Sequence, residues 1–548
     1  MELEIPEDLA AALEKLVGAQ STLGTQLSTA CPGSGTRIVS SQHFDGASLD
    51  LLVQLGRNAG ARDLLFQLLA LDNLNGETQL KAIPSLELLV PALIEWLSRE
   101  PVDGWLYQRG RDGTLLAWLV HSVRLVKPTD GNAYVLVGLL ANTLPAAARE
   151  RVQDPRLRFT GMTWGLSFYA EDLPGRTLAG LFADQGFYKE CTEFRQEYDT
   201  QLAHFTKLQP QFGAQLTVSG HAWVPASGPR EAFECVRLPE GAAVRCVNDE
   251  ELLQRRFDMA ADPHYWRACG ISSGFDRIPL HPYLHLFHLD WHRNVWVHAQ
   301  HVQAYAYRPA LRELLVLPQA HRDLIDILTA DRNFLVEDVV PGKSGGTTIL
   351  CKGAPGLGKT LTAEVYAEVV GKPLYRVHSG QLGVTASSVE ASLTAILQRA
   401  ARWDCVLLLD EADVYIRRRD NDLQHNAIVA EFLRTLEYFS GLLFMTTNRV
   451  GDIDEAILSR CIAIIDYQAP GPADAQRLWA TLASQLGVEL APELGAQLVA
   501  DYAGASGRDI KELLKLTSKY CRRRGEPLSA AAFAQCAAFR GLQRRGAA

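Results

Sequence analysis

Hydrophobic positions recur at two different spacings along this 548-residue chain. From Leu49 to about Leu144, leucines return every three or four residues, as in "LDLLVQLGRNAGARDLLFQLLALDNL" and "SLELLVPALIEWLSRE", and this spacing predicts a helical N-terminal domain over residues 1–149. From about residue 150 to 310, aromatic and β-branched segments are broken by Gly and Pro, as in "LTVSGHAWVPASG". This second pattern predicts a mixed or β-rich middle domain.

The pattern changes again after residue 310. The segments "TTILCKG" and "CVLLLD" are continuous apolar runs, as expected of parallel strands that helices cover on both faces. Amphipathic helical segments separate these runs, and the chain from about Gly471 has a helical pattern only. The sequence therefore predicts an α/β domain over residues 311–468, followed by a helical lid over residues 469–548.

Composition and charge narrow the range of functions. The formal net charge of -9 argues against a protein whose main role is to bind nucleic acid. The N-terminal segment lacks the features of a secretory signal, and no apolar run reaches the roughly 18 residues of a membrane span, so we expect a cytoplasmic protein without membrane contact. The ten cysteines include no C-x-x-C pair, which favours reduced thiols over disulfides or a zinc site.

The segment "GAPGLGKT" fits the phosphate-loop pattern G-x-x-x-x-G-K-[ST] at every required position. It follows an apolar strand, Thr347 to Cys351, and opens a helix that stops at Gly371, which is the context in which such a loop holds phosphates. Lys359 is expected to reach the β and γ phosphates, and Thr360 to offer its hydroxyl to Mg²⁺. The predicted nucleotide-binding residues of this loop are Gly353, Ala354, Pro355, Gly356, Leu357, Gly358, Lys359, Thr360 and Leu361.

Two adjacent carboxylates follow a second apolar run in "VLLLDEAD", Val406 to Asp413. The carboxyl end of a strand is where open α/β sheets bind their ligands. Asp410 is predicted to hold Mg²⁺, directly or through water, and Glu411 to polarise the water that attacks the γ phosphate.

These two motifs occur together with "LLFMTTNR", "DEAILSR" and "GASGRDIKELL", in the order and spacing of AAA+ ATPases. From about Leu314 to Cys521 the sequence resembles the AAA subgroup that has a Thr-Thr-Asn sensor. The resemblance implies a P-loop AAA+ core with a parallel sheet and a C-terminal helical lid. It also implies ATP and Mg²⁺ as cofactors, ATP hydrolysis, and a homo-oligomer, in most such proteins a hexamer.

The resemblance assigns further residues one at a time. Asn448 resembles the first sensor, which orients the attacking water, and Arg460 resembles an arginine finger that reaches the γ phosphate of a neighbouring subunit. Cys461 follows Arg460 where the family often has a second arginine, so a second finger is not expected. Arg508 resembles the second sensor, in the lid. The resemblance also implies that the backbone at Asp338 and Val339 contacts the adenine base.

The sequence leaves open what ATP hydrolysis drives. The leading hypothesis is remodelling of a protein partner bound through residues 1–310. The loop "HSGQLGVTASSVE" lacks the aromatic residue with which many relatives thread polypeptide, which favours an ATP-controlled switch or scaffold, for example a bacterial stress or defence sensor. A nucleic-acid motor or loader is a third possibility, against which the acidic charge counts. The charged loop "IRRRDNDLQHN" is either part of a pore or a solvated polar loop.

Six histidines lie close together between residues 281 and 301, and two interpretations are open. On a helix the first three would share a face suited to Zn²⁺, but the aromatic and β-branched residues around them indicate strands, whose histidines pack at a domain edge. The six are His281, His285, His288, His292, His298 and His301.

Overall fold

The structure is a computed structural model, and it describes most of the chain. The residues predicted to contact the base, Asp338 and Val339, lie outside the described residues, as does Val384 in the loop that lacks an aromatic residue. The described residues are 2–18, 20–29, 32–33, 35–61, 63–65, 67–68, 86–98, 104–110, 113–142, 162–225, 233–239, 244–250, 259–260, 264–271, 275, 277–330, 346–383, 385–419, 422–437 and 439–544.

The N-terminal residues form a small sheet with helices packed against it. The strand order is β1-β3-β2, with antiparallel neighbours. Leu3 and Ile5 of the first strand share a buried apolar cluster with Leu9, Leu13 and Leu52 of the helices. The elements are β1 (Glu2–Pro6), α1 (Glu7–Val17), α2 (Thr22–Thr29), β2 (Pro32–Gly33), β3 (Thr36–Ser40) and α3 (Gly46–Ala59).

A five-stranded antiparallel sheet follows, in the order β7-β6-β5-β4-β8. Two helices belong to this part of the chain: α4 (Leu86–Ser98) precedes the first strand, and α5 (Leu178–Ala183) precedes the last one. The strands are β4 (Trp105–Arg109), β5 (Leu115–Val126), β6 (Tyr134–Ala141), β7 (Met162–Tyr169) and β8 (Phe187–Lys189).

The prediction of mainly helical structure from Leu49 to about Leu144 is therefore wrong for β4, β5 and β6, and the domain predicted as helical over residues 1–149 also contains the short strands β1, β2 and β3. The reason lies in β5, whose residues Leu115 to Val120 are all buried, so that side chains on both faces of the strand are apolar. A short continuous apolar run of this kind cannot be told from a buried helix by its spacing. The strands on the two sides of residue 149 belong to one sheet, and the boundary predicted at residues 149 and 150 passes through it.

The next part of the chain is rich in strands, as the pattern of aromatic and β-branched residues predicted. Helix α6 (Thr192–Leu208) leads into a seven-stranded sheet, which we call the upstream sheet, of order β11-β10-β16-β15-β12-β9-β17. Its strands are β9 (Gln215–Val218), β10 (His221–Pro225), β11 (Phe233–Arg237), β12 (Val244–Asn248), β15 (Tyr283–His288), β16 (Arg293–His298) and β17 (Val302–Ala304). Between them lie the paired strands β13 (Met259–Ala260) and β14 (Arg277–Ile278) and the short helix α7 (His264–Ala268).

A five-stranded parallel sheet forms the centre of the α/β part, in the order β19-β20-β21-β18-β22. Every residue of β20 and β21 is buried, as the continuous apolar runs predicted for strands covered on both faces. The strands are β18 (Thr347–Gly353), β19 (Leu374–His378), β20 (Val406–Asp410), β21 (Leu442–Thr447) and β22 (Ala463–Tyr467). After β18 the chain continues to β19, which lies at the far edge of the sheet. Open α/β sheets bind ligands at the point where the strand order reverses in this way.

Helices surround this sheet and follow it. The earlier ones are α8 (Leu311–Leu314), α9 (Gln319–Ala330), α10 (Lys359–Val370), α11 (Ala386–Trp403), α12 (Asp413–Ile416), α13 (Leu423–Leu436) and α14 (Glu455–Arg460). The lid consists of α15 (Pro472–Gln485), α16 (Pro492–Asp501), α17 (Gly507–Arg524) and α18 (Ala530–Ala538). Among the helices of the described residues, none combines the length and the apolar character needed to cross a bilayer.

The upstream sheet packs directly against the α/β part. Phe287 of β15 lies with its ring 4.9 Å from that of Trp403 and 5.6 Å from that of Tyr375, and all three residues are buried in one cluster. Trp403 Nε1 also donates a hydrogen bond of 2.8 Å to Asp249. The boundary predicted near residue 310 therefore separates two parts of the chain that share a hydrophobic core.

Candidate nucleotide-binding site

The phosphate loop occupies the turn between β18 and α10. Gly353, Gly356 and Gly358 have φ angles of 146°, 83° and 96°, a region that side chains rarely adopt, so glycine is required there by backbone geometry. The helix begins at Lys359, and the loop therefore lies at its N-terminus, where backbone N–H groups and the helix dipole favour an anion.

Lys359 lies inside this loop with only 7% of its surface exposed. Its Nζ donates hydrogen bonds to the carbonyls of Gly353 and Ala354, both at 2.7 Å, and to Asn448 Oδ1 at 2.9 Å. Burial lowers the pKa of Lys359, and the nearby Asp413 carboxylate opposes that shift. A cation held at the centre of a glycine-rich loop is suited to bind phosphate oxygens.

Asp410 and Thr360 meet beside the loop. Thr360 donates a hydrogen bond of 2.8 Å to Asp410 Oδ1, and Thr446 of the neighbouring strand donates another of 2.6 Å to the same oxygen. Burial alone would raise the pKa of Asp410, but the hydrogen bonds from Thr446 and Thr360 and the charge of Arg376 outweigh it, so the pKa is lowered. Asp410 is thus an ionised carboxylate next to a hydroxyl, and these hard oxygen ligands fit Mg²⁺.

Glu411 follows Asp410 at the carboxyl end of β20. Its φ of 56° lies in the left-handed region, which costs a non-glycine residue about 1 kcal/mol. The backbone N–H of Glu411 donates to Thr446 Oγ1 at 3.0 Å, and this bond helps to hold the unusual conformation. Glu411 is exposed and directly follows Asp410, the residue predicted to hold Mg²⁺, and an exposed carboxylate can accept a proton from water.

Asn448 connects the end of β21 to the loop. Its Oδ1 accepts the hydrogen bond from Lys359, and its backbone N–H donates to Asp413 Oδ1 at 3.1 Å. The hydroxyl of Thr447 also donates to Asp413. The predicted sensor side chain therefore lies next to the group expected to bind the γ phosphate.

The lid reaches the site through the start of α17. The backbone N–H of Arg508 donates to the Gly356 carbonyl at 3.2 Å. A Cβ at Gly356 would lie 2.7 Å from Ser506 Oγ and 2.9 Å from Arg508 Cβ, so the loop and the lid are in close contact. The charge of Arg508 also contributes to the lowered pKa of Lys359. The predicted second sensor thus adjoins the phosphate loop.

Comparison with known proteins identifies this part of the chain. Residues 349–468 match the model of the AAA family, described as "ATPase family associated with various cellular activities". The chain carries an AAA ATPase domain. The matched residues run from the third residue of β18 to just beyond the end of β22, so they include the phosphate loop, both carboxylates and Asn448.

Individual relatives resemble the AAA domain over part of their length. The AAA family ATPase y4kL of Sinorhizobium fredii is 34% identical over 131 residues, which are 22% of this chain and 38% of the relative. The outer mitochondrial transmembrane helix translocase of Danio rerio is 27% identical over 184 residues, 31% of this chain and 48% of the relative. This chain thus spans less than half the length of either relative. The solved AAA domain of FIGL-1 with ADP is 19% identical, covers 42% of this chain and 83% of that one, and gives a TM-score of 0.35.

Arg460 lies at the end of α14 and contacts residues outside the phosphate site of the AAA domain. Its Nη1 donates to the Ala456 carbonyl at 3.2 Å, and its Nη2 lies 3.7 Å from Glu437. About a third of its side chain is exposed. The role of Arg460 as an arginine finger for a neighbouring subunit stays a prediction.

Three residues of the AAA domain site were not assigned from the sequence. Thr446 bridges Asp410 and Glu411, Asp413 holds the end of β21, and Arg376 pairs with Asp410 Oδ2 at 2.6 Å. Arg376 could have been singled out from the sequence, since it is the only charged residue of the segment "PLYRV". For Thr446 and Asp413 the signal was weaker, because both are short polar residues next to recognised motifs.

The clustered histidines of the upstream sheet lie in or beside strands and turns, as their neighbours predicted. His281 Nε2 lies 2.7 Å from the Ala117 carbonyl, and His285 Nδ1 lies 3.1 Å from that of Asp249. Burial lowers the pKa of His288 to about 4. Over the part of the chain that the structure describes, no three His, Cys, Asp or Glu residues are grouped so as to hold a metal ion.

Proposed function

We propose that the AAA domain binds ATP with Mg²⁺, hydrolyses it within a homo-oligomeric ring, and uses the cycle to remodel a protein partner bound through residues 1–310. The observation that carries this proposal is the position of Lys359 Nζ, which lies 2.7 Å from two carbonyls of the phosphate loop and 2.9 Å from the predicted sensor Asn448. A cation so placed joins the two strand ends between which the γ phosphate would be held.

Each part of the site has a separate role in this proposal. The loop glycines and Lys359 bind the phosphates, and Thr360 and Asp410 hold Mg²⁺, which supplies charge neutralisation at the phosphate oxygens when bound. Glu411 accepts the proton of the attacking water, and Asn448 orients that water. Arg460 acts on the nucleotide of the neighbouring subunit, so hydrolysis depends on assembly.

A protein partner is favoured over nucleic acid by charge and by analogy. The formal net charge of -9 disfavours a phosphate backbone as the main ligand. The Danio rerio relative is named as a translocase of transmembrane helices, which are protein segments, and by analogy we propose a protein substrate for this chain.

The alternative function is an ATP-controlled switch that assembles when it binds ATP and returns to its starting state by slow hydrolysis. It is favoured by the segment "HSGQLGVTASSVE", which follows β19 and has no aromatic residue.

The mass of the Glu411→Gln variant with and without ATP tests the proposal. The variant should bind ATP but hydrolyse almost none of it. Light scattering should then give the mass of a ring when ATP is present and a smaller mass when it is absent. If the variant hydrolyses ATP as fast as the wild type, Glu411 does not accept the proton of the attacking water. A monomer at every ATP concentration would contradict catalysis shared between subunits. If a ring forms, turnover stimulated by a protein partner supports remodelling, whereas slow turnover that no partner stimulates supports the switch.

A further inference from the structure

The carboxylate expected to hold Mg²⁺ is paired with a cation from its own chain. Arg376 Nη2 lies 2.6 Å from Asp410 Oδ2, while Oδ1 accepts the hydroxyls of Thr360 and Thr446. The Asp410 side chain is 5% exposed and that of Arg376 41%. Both oxygens of Asp410 are therefore engaged, and its negative charge is balanced by the guanidinium.

A second carboxylate contacts the same guanidinium. Glu364 of α10 has its Oε1 3.5 Å from Arg376 Nη1, whereas Asp410 Oδ2 lies 2.6 Å from Nη2. Burial raises the pKa of Glu364, and the charges of Arg376 and of Arg245 in the upstream sheet oppose that shift. Arg376 thus lies between two carboxylates and can shift its charge from one towards the other.

We propose that Arg376 is a positioning residue that sets how readily the site takes up Mg²⁺, an inference that rests on the proposed ATP binding. Mg²⁺ and a guanidinium are both attracted to Asp410, and they repel each other at this separation. Mg²⁺ binding therefore requires Arg376 to shift towards Glu364. Without the metal, Arg376 keeps a positive charge beside the phosphate site and supports nucleotide binding.

A Mg²⁺ titration of nucleotide binding tests this inference without relying on hydrolysis. A fluorescent ADP analogue is bound to the wild type and to Arg376→Gln, first in EDTA and then at rising Mg²⁺. For Arg376→Gln we expect weaker binding in EDTA and a half-saturating Mg²⁺ concentration lowered about fivefold, because the competing charge is gone. Arg376→Lys retains the charge but not the two guanidinium nitrogens, so its half-saturating Mg²⁺ concentration should lie between those of Arg376→Gln and the wild type. Identical Mg²⁺ curves for Arg376→Gln and wild type would overturn the inference.

Glu364→Gln should change the half-saturating Mg²⁺ concentration in the opposite direction to Arg376→Gln. With Glu364 neutral, Arg376 has no second carboxylate to move towards, and the half-saturating Mg²⁺ concentration should rise. In the Arg376→Gln background the same change should have little effect, because the two residues act as one unit. An equal rise in both backgrounds would show that Glu364 acts on Mg²⁺ directly and would overturn the role of Arg376. The side chains of Glu364 and Arg376 are both 41% exposed, so both single variants should fold.

The two proposals fail in different ways. If the wild type binds no nucleotide under any condition, the proposed ATP binding itself fails. If it binds nucleotide and responds to Mg²⁺ but the variants at residues 364 and 376 follow the wild-type curve, only the present inference fails.

Discussion

Thr446 offers the sharpest test of how the site is built. Its hydroxyl donates to Asp410 Oδ1 at 2.6 Å and accepts from the Glu411 N–H at 3.0 Å, and the residue is 2% exposed. Thr446→Val keeps the shape of the side chain and removes both bonds. A hydrogen bond to a charged group contributes about 1.5–3 kcal/mol, and an unpaired N–H adds to that loss. We therefore expect the free energy of unfolding of the AAA domain to fall by about 3 kcal/mol.

Catalysis should suffer as well, since Glu411 would lose the bond that supports its left-handed backbone. Urea unfolding followed by release of a fluorescent ADP analogue measures the loss of stability, and steady-state phosphate release measures turnover. Thr446→Ser is the matched control, because it keeps the hydroxyl and loses only a methyl group. A Thr446→Val protein as stable and as active as Thr446→Ser would refute the reasoning.

The same contact has a pH dependence with a defined sign. The pKa of Asp410 is lowered in the folded protein, so its ionised form stabilises the fold at neutral pH. This contribution is complete above the ordinary carboxyl pKa of 3.8 and is lost as the pH falls through the lowered folded-state value. Because Thr446 is among the causes of the shift, the stability difference between wild type and Thr446→Val should narrow in acid.

Three other substitutions probe separate features. Arg460→Ala should abolish turnover while fluorescent ATP-analogue binding is unchanged; normal hydrolysis would mean that the site is not shared between subunits. Gly356→Ala, with φ of 83° and its Cβ 2.7 Å from Ser506 Oγ, should weaken nucleotide affinity by about tenfold in the same binding assay, because the loop and lid must separate. Phe287→Ala should lower the free energy of unfolding by about 3 kcal/mol in calorimetry of the ADP-bound protein. An unchanged transition would contradict a shared core at Trp403.

The local chemistry of the site could be predicted from sequence because each motif is contiguous. The phosphate loop requires glycine at positions of positive φ, and Gly353, Gly356 and Gly358 have such angles. Strand β20 places Asp410 at its carboxyl end because the preceding apolar residues are buried on both faces. In such segments the sequence alone specifies both the backbone and the polar residue at the end of the strand.

Pairings between distant segments could not be predicted in this way. Arg376 and Asp410 are 34 residues apart and meet because β19 and β20 are parallel neighbours, which the spacing of apolar residues does not specify. The strand β5 escaped prediction for a related reason, since its first six residues are buried on both faces and lack the alternation that identifies a strand. In both cases the tertiary structure, through strand pairing in one and burial in the other, determined the result, and local propensity did not.

The edge strand β19 connects the two halves of the protein through neighbouring side chains. Successive residues of a strand point to opposite faces, so Tyr375 packs with Phe287 and Trp403 while Arg376 faces Glu364 and Asp410. The packing of Tyr375 against the upstream sheet and the ion pairs of Arg376 therefore involve adjacent residues of one strand. Residues before 310 are thus part of the structural support of the nucleotide site as well as the proposed surface for a partner.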